Sequence, residues 1–246
     1  MALKWVFLDL DNTLWDFDGN AEEALRVLFE RHKLDYHTNY KVEQFIALYK
    51  DVNHAYWLRY EKGEVNKETL RTRRFTDTFE LMGLPHALYP ENVWQEYLDI
   101  CPLMTKLVPN ALECLEMLAS RFKIGILTNG FQETQTIKLR ESGLGKFVDF
   151  MQSSEAVGVA KPSPEFFKIA LQSVNCLPES SVYIGDNFNT DVMGGLESGI
   201  KTYWYQYLES SEIDDRMIFD KYNENYGGKV SDLCHWATSL CEFENI

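Results

Sequence analysis

Two aspartates separated by one residue, Asp9 and Asp11, interrupt an apolar opening segment that otherwise has the pattern of a buried strand. An aspartate can attack phosphorus and form an aspartyl-phosphate. A second carboxylate beside it can protonate the leaving oxygen and then activate water. Asp residues also cap ordinary turns, so the pair by itself leaves that alternative open. It indicates phosphate-ester hydrolysis only if further polar groups converge on it.

Further polar residues follow other strand-like segments or precede helices. They are Thr128 at the end of "FKIGILT", Lys161 in "VGVAKPSPEFF", Asp186 at the end of "SVYIGD", and Asp191 shortly after it. Carboxylates that converge on one place repel each other and need a cation to stay ionised. Oxygen ligands without His or Cys favour a hard ion, Mg²⁺ before Zn²⁺. A lysine and a threonine nearby suit the oxygens of a phosphoryl group.

Strand-like and helix-like segments alternate in the second half of the chain. Strands are predicted over residues 122–128, 181–186 and 201–205, and helices over residues 132–141 and 189–197. This alternation predicts right-handed βαβ units and an α/β, Rossmann-like core with a parallel sheet covered on both faces. Ligands bind beyond the carboxyl ends of such strands, so we expect the polar side chains to meet at one rim.

An all-helical block separates the first strand from the remaining βα units. Helical patterns cover residues 21–32, 42–60, 67–82 and 91–100, with Gly and Pro between them. The predicted organisation is a core of residues 1–16 and 103–246 with a helical insertion of residues 17–102. Residues 209–226 are acidic and irregular, and a final helix is predicted over residues 231–243.

The composition excludes several classes of partner. The formal net charge of -14 argues against non-specific binding to nucleic acid or anionic membranes, which requires clustered Lys and Arg. No apolar run approaches the about 20 residues of a membrane span, and no secretory signal pattern is present. Five scattered cysteines without CxxC spacing indicate reduced thiols rather than disulfides or zinc. We expect a cytoplasmic monomer or homodimer that acts on a small molecule.

Four short segments resemble, in the same order, the four motifs of the haloacid dehalogenase-like hydrolases. They are "DLDNT" at Asp9, "LTNG" at Thr128, "AKPSPEFF" at Lys161 and "GDNFNTD" at Asp186. The resemblance spans residues 5–204 and implies a Rossmann-like core. It also implies that the helical insertion is a mobile cap of the family's first type, which closes over the site and excludes water.

The resemblance assigns the acidic residues to nucleophilic and metal-binding roles. Asp9 matches the nucleophile and a Mg²⁺ ligand. Asp11 matches the general acid/base, and its main-chain carbonyl would also bind the metal. Asp186 matches the metal ligand of the fourth motif, and Asp191 supports the metal directly or through water. Mg²⁺ is therefore the expected cofactor.

The remaining matched residues are assigned to the substrate. Thr128 and Lys161 match the groups that hold the phosphoryl oxygens and neutralise charge in the transition state. Asn129 is a further candidate substrate contact, with shaping of the turn as its alternative role, and Gly130 is expected to offer its backbone N–H to phosphate. Trp15, where the chain leaves the core, is the last predicted substrate contact, with packing as its alternative role.

A finer resemblance is to the noncanonical pyrimidine nucleotidases, through "NGFQETQTIKLRESGL", "SSEAVGVAKPSPEFF" and "VNHAYWLRYEKGEV". It implies hydrolysis of a pyrimidine nucleoside 5′-monophosphate. Alternatives are a sugar or sialic acid 9-phosphate phosphatase, a phosphoglycolate phosphatase, a phosphomutase and a non-enzymatic binding module. A haloacid dehalogenase has no leaving alcohol for Asp11 to protonate, and a receiver domain has no large helical insert.

Overall fold

The structure, a computed structural model, describes residues 2–206 and 234–246. The chain forms two compact units, one of Met1–Phe17 with Thr105–Ile246 and the other of Asp18–Met104. The acidic segment predicted to be irregular, residues 209–226, lies outside the described residues. That the second unit acts as a cap stays a prediction.

The first unit contains a six-stranded parallel sheet in the order β3-β2-β1-β4-β5-β6. The strands are β1 (Trp5–Leu8), β2 (Lys123–Thr128), β3 (Phe150–Ser153), β4 (Ser181–Gly185), β5 (Lys201–Tyr205) and β6 (Cys234–Ala237). Every residue of β4 is buried, as is typical of parallel strands covered by helices on both faces. This sheet confirms the predicted α/β, Rossmann-like class.

The second unit is helical throughout its described elements. Its helices are α1 (Phe17–Arg31), the short α2 (Leu34–His37), α3 (Val42–Glu61), α4 (Lys67–Leu81) and α5 (Val93–Ile100), with α1 beginning at the unit boundary. Its core is aromatic, with Tyr49 of α3 packed against Phe75 of α4 and Tyr97 of α5. Among the described helices, none has the length and apolar character needed to cross a bilayer.

The helices of the first unit follow its strands and cover the sheet. They are α6 (Ala111–Ala119), α7 (Gln132–Glu141), the short α8 (Ser154–Val157), α9 (Pro164–Ser173) and α10 (Met193–Glu197). Pro164 stands at the first position of α9, where its missing N–H has no helical partner to lose. From α9, Phe166 and Phe167 pack with Phe7 and Tyr183 of the sheet in one buried cluster.

The segment after β4 differs from the single helix predicted over residues 189–197. A π-helical turn, Phe188–Val192, comes first, and α10 begins only at Met193. The side chain of Asn187 accepts hydrogen bonds from the backbone N–H groups of Asn189 and Thr190. Wide turns of this kind recur at functional sites, and here the turn carries Asp191.

The predicted helix over residues 231–243 is wrong. Residues Cys234–Ala237 form β6, which pairs in parallel with β5, and Leu240–Asn245 form a 3₁₀ helix capped by Ser239. The backbone groups of these residues hydrogen-bond to β5, so tertiary pairing overrides the local helical pattern.

Candidate active site

Three strand ends bring the predicted residues to one rim of the sheet. Leu8 of β1 lies opposite Ile126 of β2 and Ile184 of β4, so the three strands end at the same edge. Asp9 directly follows β1, and Thr128 is the last residue of β2. β1 lies between β2 and β4, which is the switch point where ligands bind in open α/β sheets.

A group of three carboxylates lies at this switch point. Oxygen atoms of Asp9, Asp186 and Asp191 all lie within 4.8 Å of one another. Asp9 and Asp191 are buried, whereas Asp186 keeps partial exposure. The hydroxyl of Thr13 donates a 3.1 Å hydrogen bond to Asp186 Oδ1.

The ammonium group of Lys161 is buried among oxygen atoms. Its Nζ lies 2.6 Å from Asp9 Oδ1, 2.7 Å from Asp191 Oδ1, 2.9 Å from the carbonyl of Leu127 and 3.0 Å from the hydroxyl of Tyr183. The Tyr183 hydroxyl also donates to Asp191 Oδ1 at 2.8 Å. Lys161 is thereby tied to the predicted nucleophile and to one predicted metal ligand. Sequence reasoning did not identify Tyr183.

The environment of Asp9 and Asp186 favours the neutral form of both side chains. Burial is the largest cause that raises the pKa of Asp9 to about 7, with Asp191 and Asp11 adding to it and Lys161 opposing it. Burial, then Asp191 and Asp9, also raise the pKa of Asp186 well above its ordinary value. Burial alone would lower the pKa of Lys161, but Asp191 and Asp9 outweigh it and raise that pKa.

This donor set fits a hard divalent cation. Three carboxylates face the single ammonium of Lys161, so the group carries excess negative charge when ionised. All candidate ligand atoms of the group are carboxylate oxygens, which Mg²⁺ prefers. The side chains of Asp9, Asp186 and Asp191 could therefore hold Mg²⁺. The role of the Asp11 carbonyl as a ligand stays a prediction.

The hydroxyl proton of Thr128 is available for a hydrogen bond, and a phosphoryl oxygen requires such a donor. Its Oγ1 accepts hydrogen bonds from Gln135 Nε2 at 2.8 Å and from the backbone N–H of Gly130 at 3.0 Å. A hydroxyl has two acceptor lone pairs and one proton, so both lone pairs are used. No acceptor for the proton is found in the described part of the chain, which leaves it available to a ligand oxygen.

Other predicted substrate contacts are engaged within the protein. The side chain of Asn129 accepts from the Lys161 backbone N–H at 2.9 Å and donates to the Lys161 carbonyl at 3.1 Å, which anchors the lysine's loop. The N–H of Gly130 is directed to Thr128 rather than outward. Trp15 is fully buried, and Lys138 Nζ lies 4.3 Å from its ring centroid. Their substrate contacts stay predictions.

The carboxylate of Asp11 is held by two side chains that sequence reasoning missed. Lys138 Nζ lies 2.6 Å from Asp11 Oδ1, and Gln135 Nε2 donates to Asp11 Oδ2 at 3.0 Å. Both donors belong to α7, three positions apart, on the helix that follows Thr128. That spacing puts them on one helical face and was the available signal.

The chain matches a known family and known proteins. Residues 3–199 match the haloacid dehalogenase-like hydrolases. The chain is 32% identical to the pyrimidine 5′-nucleotidase YjjG of Escherichia coli K12 over 205 residues, 83% of this chain and 86% of YjjG. It is 29% identical to a glyceraldehyde 3-phosphate phosphatase of Pyrococcus furiosus over 220 residues, 86% of this chain and 84% of that protein.

A solved structure agrees with the fold. The HAD-hydrolase YfnB of Bacillus subtilis, in a crystal form bound to magnesium, superposes with a TM-score of 0.76 and 26% identity, covering 85% of this chain and 92% of YfnB. The family match spans most of the chain and includes the residues of all four motifs. The chain therefore belongs to the haloacid dehalogenase-like hydrolases, as its motifs predict.

Proposed function

We propose that this hydrolase is a Mg²⁺-dependent phosphatase that cleaves a phosphate monoester through an aspartyl-phosphate formed on Asp9. One observation carries the proposal. A single buried network joins Asp9 to Lys161 and sets it within 4.8 Å of the carboxylates of Asp186 and Asp191. A nucleophile, a charge-neutralising ammonium and a cation-binding group are thereby combined at one switch point.

In the first step, an oxygen of Asp9 attacks the phosphorus of the ester. The bond from phosphorus to the leaving oxygen breaks, its electron pair stays on that oxygen, and Asp11 supplies a proton, which releases the alcohol. Lys161 and the available Thr128 hydroxyl proton stabilise negative charge on the phosphoryl oxygens.

In the second step, a water oxygen attacks the phosphorus of the aspartyl-phosphate while Asp11 accepts the proton of the water. The bond between phosphorus and the Asp9 oxygen breaks, and its electron pair restores the carboxylate. Mg²⁺, when bound, supplies positive charge that stabilises the phosphoryl oxygens. The residues that would hold it are the side chains of Asp9, Asp186 and Asp191, and the motif resemblance adds the carbonyl of Asp11.

The proposed substrate is a pyrimidine nucleoside 5′-monophosphate. Support comes from YjjG, which is named a pyrimidine 5′-nucleotidase, and from the motif segments that resemble such nucleotidases. A sugar phosphate is the second candidate, because the Pyrococcus furiosus relative is named a glyceraldehyde 3-phosphate phosphatase. Both candidates use the same chemistry at Asp9 and differ only in the leaving alcohol.

The first experiment measures phosphate release from a panel of esters, with Mg²⁺ and with EDTA. The panel contains UMP, dUMP, dTMP, CMP, AMP, phosphoglycolate, sugar phosphates including glyceraldehyde 3-phosphate, and sialic acid 9-phosphate. We expect Mg²⁺-dependent release that is fastest on UMP and dTMP. Fastest release from a sugar or sialic acid phosphate would keep the mechanism and replace the substrate. If no ester releases phosphate, the proposal that the protein is a phosphatase is wrong.

A further inference from the structure

Helix α7 carries a pair of buried donors that lie outside the four motifs. Gln135 has no exposed surface, and Lys138 is 3% exposed. Together they supply one donor to each oxygen of the Asp11 carboxylate. We propose that Gln135 and Lys138 are positioning residues that hold Asp11 in its working orientation. The proposal rests on the phosphatase mechanism above, in which Asp11 moves the proton.

The ammonium of Lys138 is surrounded by one carboxylate, that of Asp11, and by two aromatic rings. A buried ammonium is strongly disfavoured unless it is paired, and Asp11 is the only carboxylate paired with Lys138 among the described residues. Its Nζ lies 4.3 Å from the ring centroid of Trp15 and 5.3 Å from that of Phe17. These rings restrict the ammonium, and cation–π attraction helps to hold it there. Lys138 is therefore a fixed charge aimed at Asp11.

The backbone joins this arrangement to the first motif. Asp11 and Trp15 form a β-bridge, so the loop that carries the carboxylate also carries the ring above Lys138. A shift of Asp11 therefore moves both the acceptor and the aromatic wall of the ammonium. The orientation of Asp11 therefore depends on the backbone of this loop as well as on the rotamer of its side chain.

Gln135 connects Asp11 to Thr128. The two protons of its amide nitrogen go to Asp11 Oδ2 at 3.0 Å and to Thr128 Oγ1 at 2.8 Å. The second of these bonds occupies a lone pair of Thr128 and so directs the Thr128 hydroxyl proton toward a ligand. One side chain thus orients the group that moves the proton and a group that holds the phosphoryl oxygens.

Two features of the structure indicate that the position of the Gln135 side chain is not chosen for stability. Gln135 Oε1 is buried with no hydrogen-bond partner among the described atoms, which is unfavourable in a folded protein. A side-chain carbon at Gly130 would lie 2.6 Å from Gln135 Cδ and Nε2, so the absence of that carbon makes room for the glutamine. A leucine or methionine at position 135 would leave no buried amide oxygen without a partner. The hydrogen bonds to Asp11 and Thr128 explain why a glutamine occupies this buried position.

The decisive variant is Lys138→Met, which keeps the length of the side chain and removes its charge. With a nucleoside monophosphate, kcat should fall about 10–100-fold, the usual loss for groups that orient a reactive ligand, while KM changes less than about threefold. With para-nitrophenyl phosphate the leaving group needs no proton, so only the second step should slow. Stopped-flow absorbance should then show a burst of about one nitrophenolate per active site, because phosphorylation of Asp9 outruns its hydrolysis.

The matched control is Arg140→Met, which removes an exposed cation from the same helix and should keep wild-type kcat. If Lys138→Met does not fold, Gln135→Met removes the other donor and should likewise lower kcat for the nucleoside monophosphate, although it gives no clean burst test because Thr128 loses the same amide. Wild-type kcat in a folded variant would overturn the proposal. For Lys138→Met, equal slowing of both substrates without a burst would also overturn it, because that result indicates a general loss of the site's structure rather than a misoriented Asp11. If the unmodified protein is inactive, the proposed phosphatase function is wrong, and so is the positioning role that depends on it.

Discussion

Asp9 shows how one residue can oppose the stability of its own fold. Its carboxylate is buried, and burial together with neighbouring carboxylates raises its pKa to about 7. A raised pKa in the folded state means that the residue contributes stability below its unfolded pKa and loses that contribution as pH rises through the folded value. Above neutral pH the ionised Asp9 is therefore unfavourable, despite its ion pair with Lys161, unless a further cation binds beside it. Groups retained under such strain are typical of active sites.

The substitution Asp9→Asn should abolish turnover and leave the fold intact. An amide cannot form the aspartyl-phosphate, so kcat should drop at least about 1,000-fold. In EDTA at alkaline pH, the melting temperature should equal or exceed that of the unmodified protein, because a buried charge has been removed. Phosphate release and calorimetry measure the two quantities. Turnover near the wild-type rate would show that Asp9 is not the nucleophile.

Close packing between elements sets the positions of the site residues. A side-chain carbon at Gly185 of β4 would lie 2.5 Å from Asp191 Cγ, so this glycine lets the carboxylate approach the strand. A carbon at Gly194 of α10 would lie 2.3 Å from a ring carbon of Phe167 and 2.9 Å from the carbonyl of Pro162. The backbone of α10 therefore touches both α9 and the loop that follows Lys161.

The substitution Gly194→Ala tests this contact. The added methyl forces α10 away from Phe167, and overpacking of this kind lowers the free energy of unfolding by about 1–3 kcal/mol. Urea unfolding followed by far-ultraviolet circular dichroism measures the change. Glu197→Ala, an exposed position on the same helix, is the control and should leave the urea midpoint unchanged. Equal midpoints for the Gly194→Ala and wild-type proteins would contradict the close approach.

Two of the buried phenols of the helical unit, those of Tyr49 and Tyr97, make it sensitive to alkali. Burial is the largest cause that raises the pKa of Tyr49 and of Tyr97, and nearby Arg74 only partly opposes it. Their stabilising contribution is therefore complete below the unfolded pKa of about 10 and is lost as pH rises above it.

We expect the free energy of unfolding to fall above about pH 10, by up to about 1.4 kcal/mol per pH unit for each phenol. Urea titrations at several alkaline pH values measure the slope. The double variant Tyr49→Phe with Tyr97→Phe should reduce it, whereas replacing the exposed Tyr36 should not. An unchanged slope in the double variant would contradict the assignment.

At the scale of the whole molecule, a cation bound at the switch point of the sheet should change the stability of the folded protein. The protein carries a formal net charge of -14, and three of its carboxylates lie together at the switch point of the sheet. A ligand that binds only the folded state stabilises it by mass action. Metal binding should therefore appear as a stability change of the entire molecule.

Addition of Mg²⁺ to protein prepared in EDTA should raise the melting temperature. The gain corresponds to about 2.7 kcal/mol when the free ion is at about 100 times its Kd. Asp186→Asn should reduce this gain strongly, because one of the three carboxylates is lost. Asp51→Asn, which removes an exposed carboxylate on α3, should retain it. A full gain in the Asp186→Asn protein would place the ion elsewhere.

Much of the site could be predicted from the sequence, because it depends on residue types at strand ends. Asp9, Thr128 and Asp186 each stand at the end of an apolar run, and parallel strands present those ends at a common edge. The alternation of strand and helix patterns likewise determined the α/β class. These features are local, so no knowledge of distant contacts was needed.

Only the tertiary structure decided which partners those residues have. Lys138 and Asp11 lie 127 positions apart, and Lys161 and Asp9 lie 152 positions apart, so their pairing depends on how helices and loops pack on the sheet. β6 forms by pairing with β5, although the pattern of its own residues predicts a helix. The sequence thus determined which chemical groups meet at the rim, whereas packing determined which donors hold them, since hydrogen bonds require distances that no local pattern specifies.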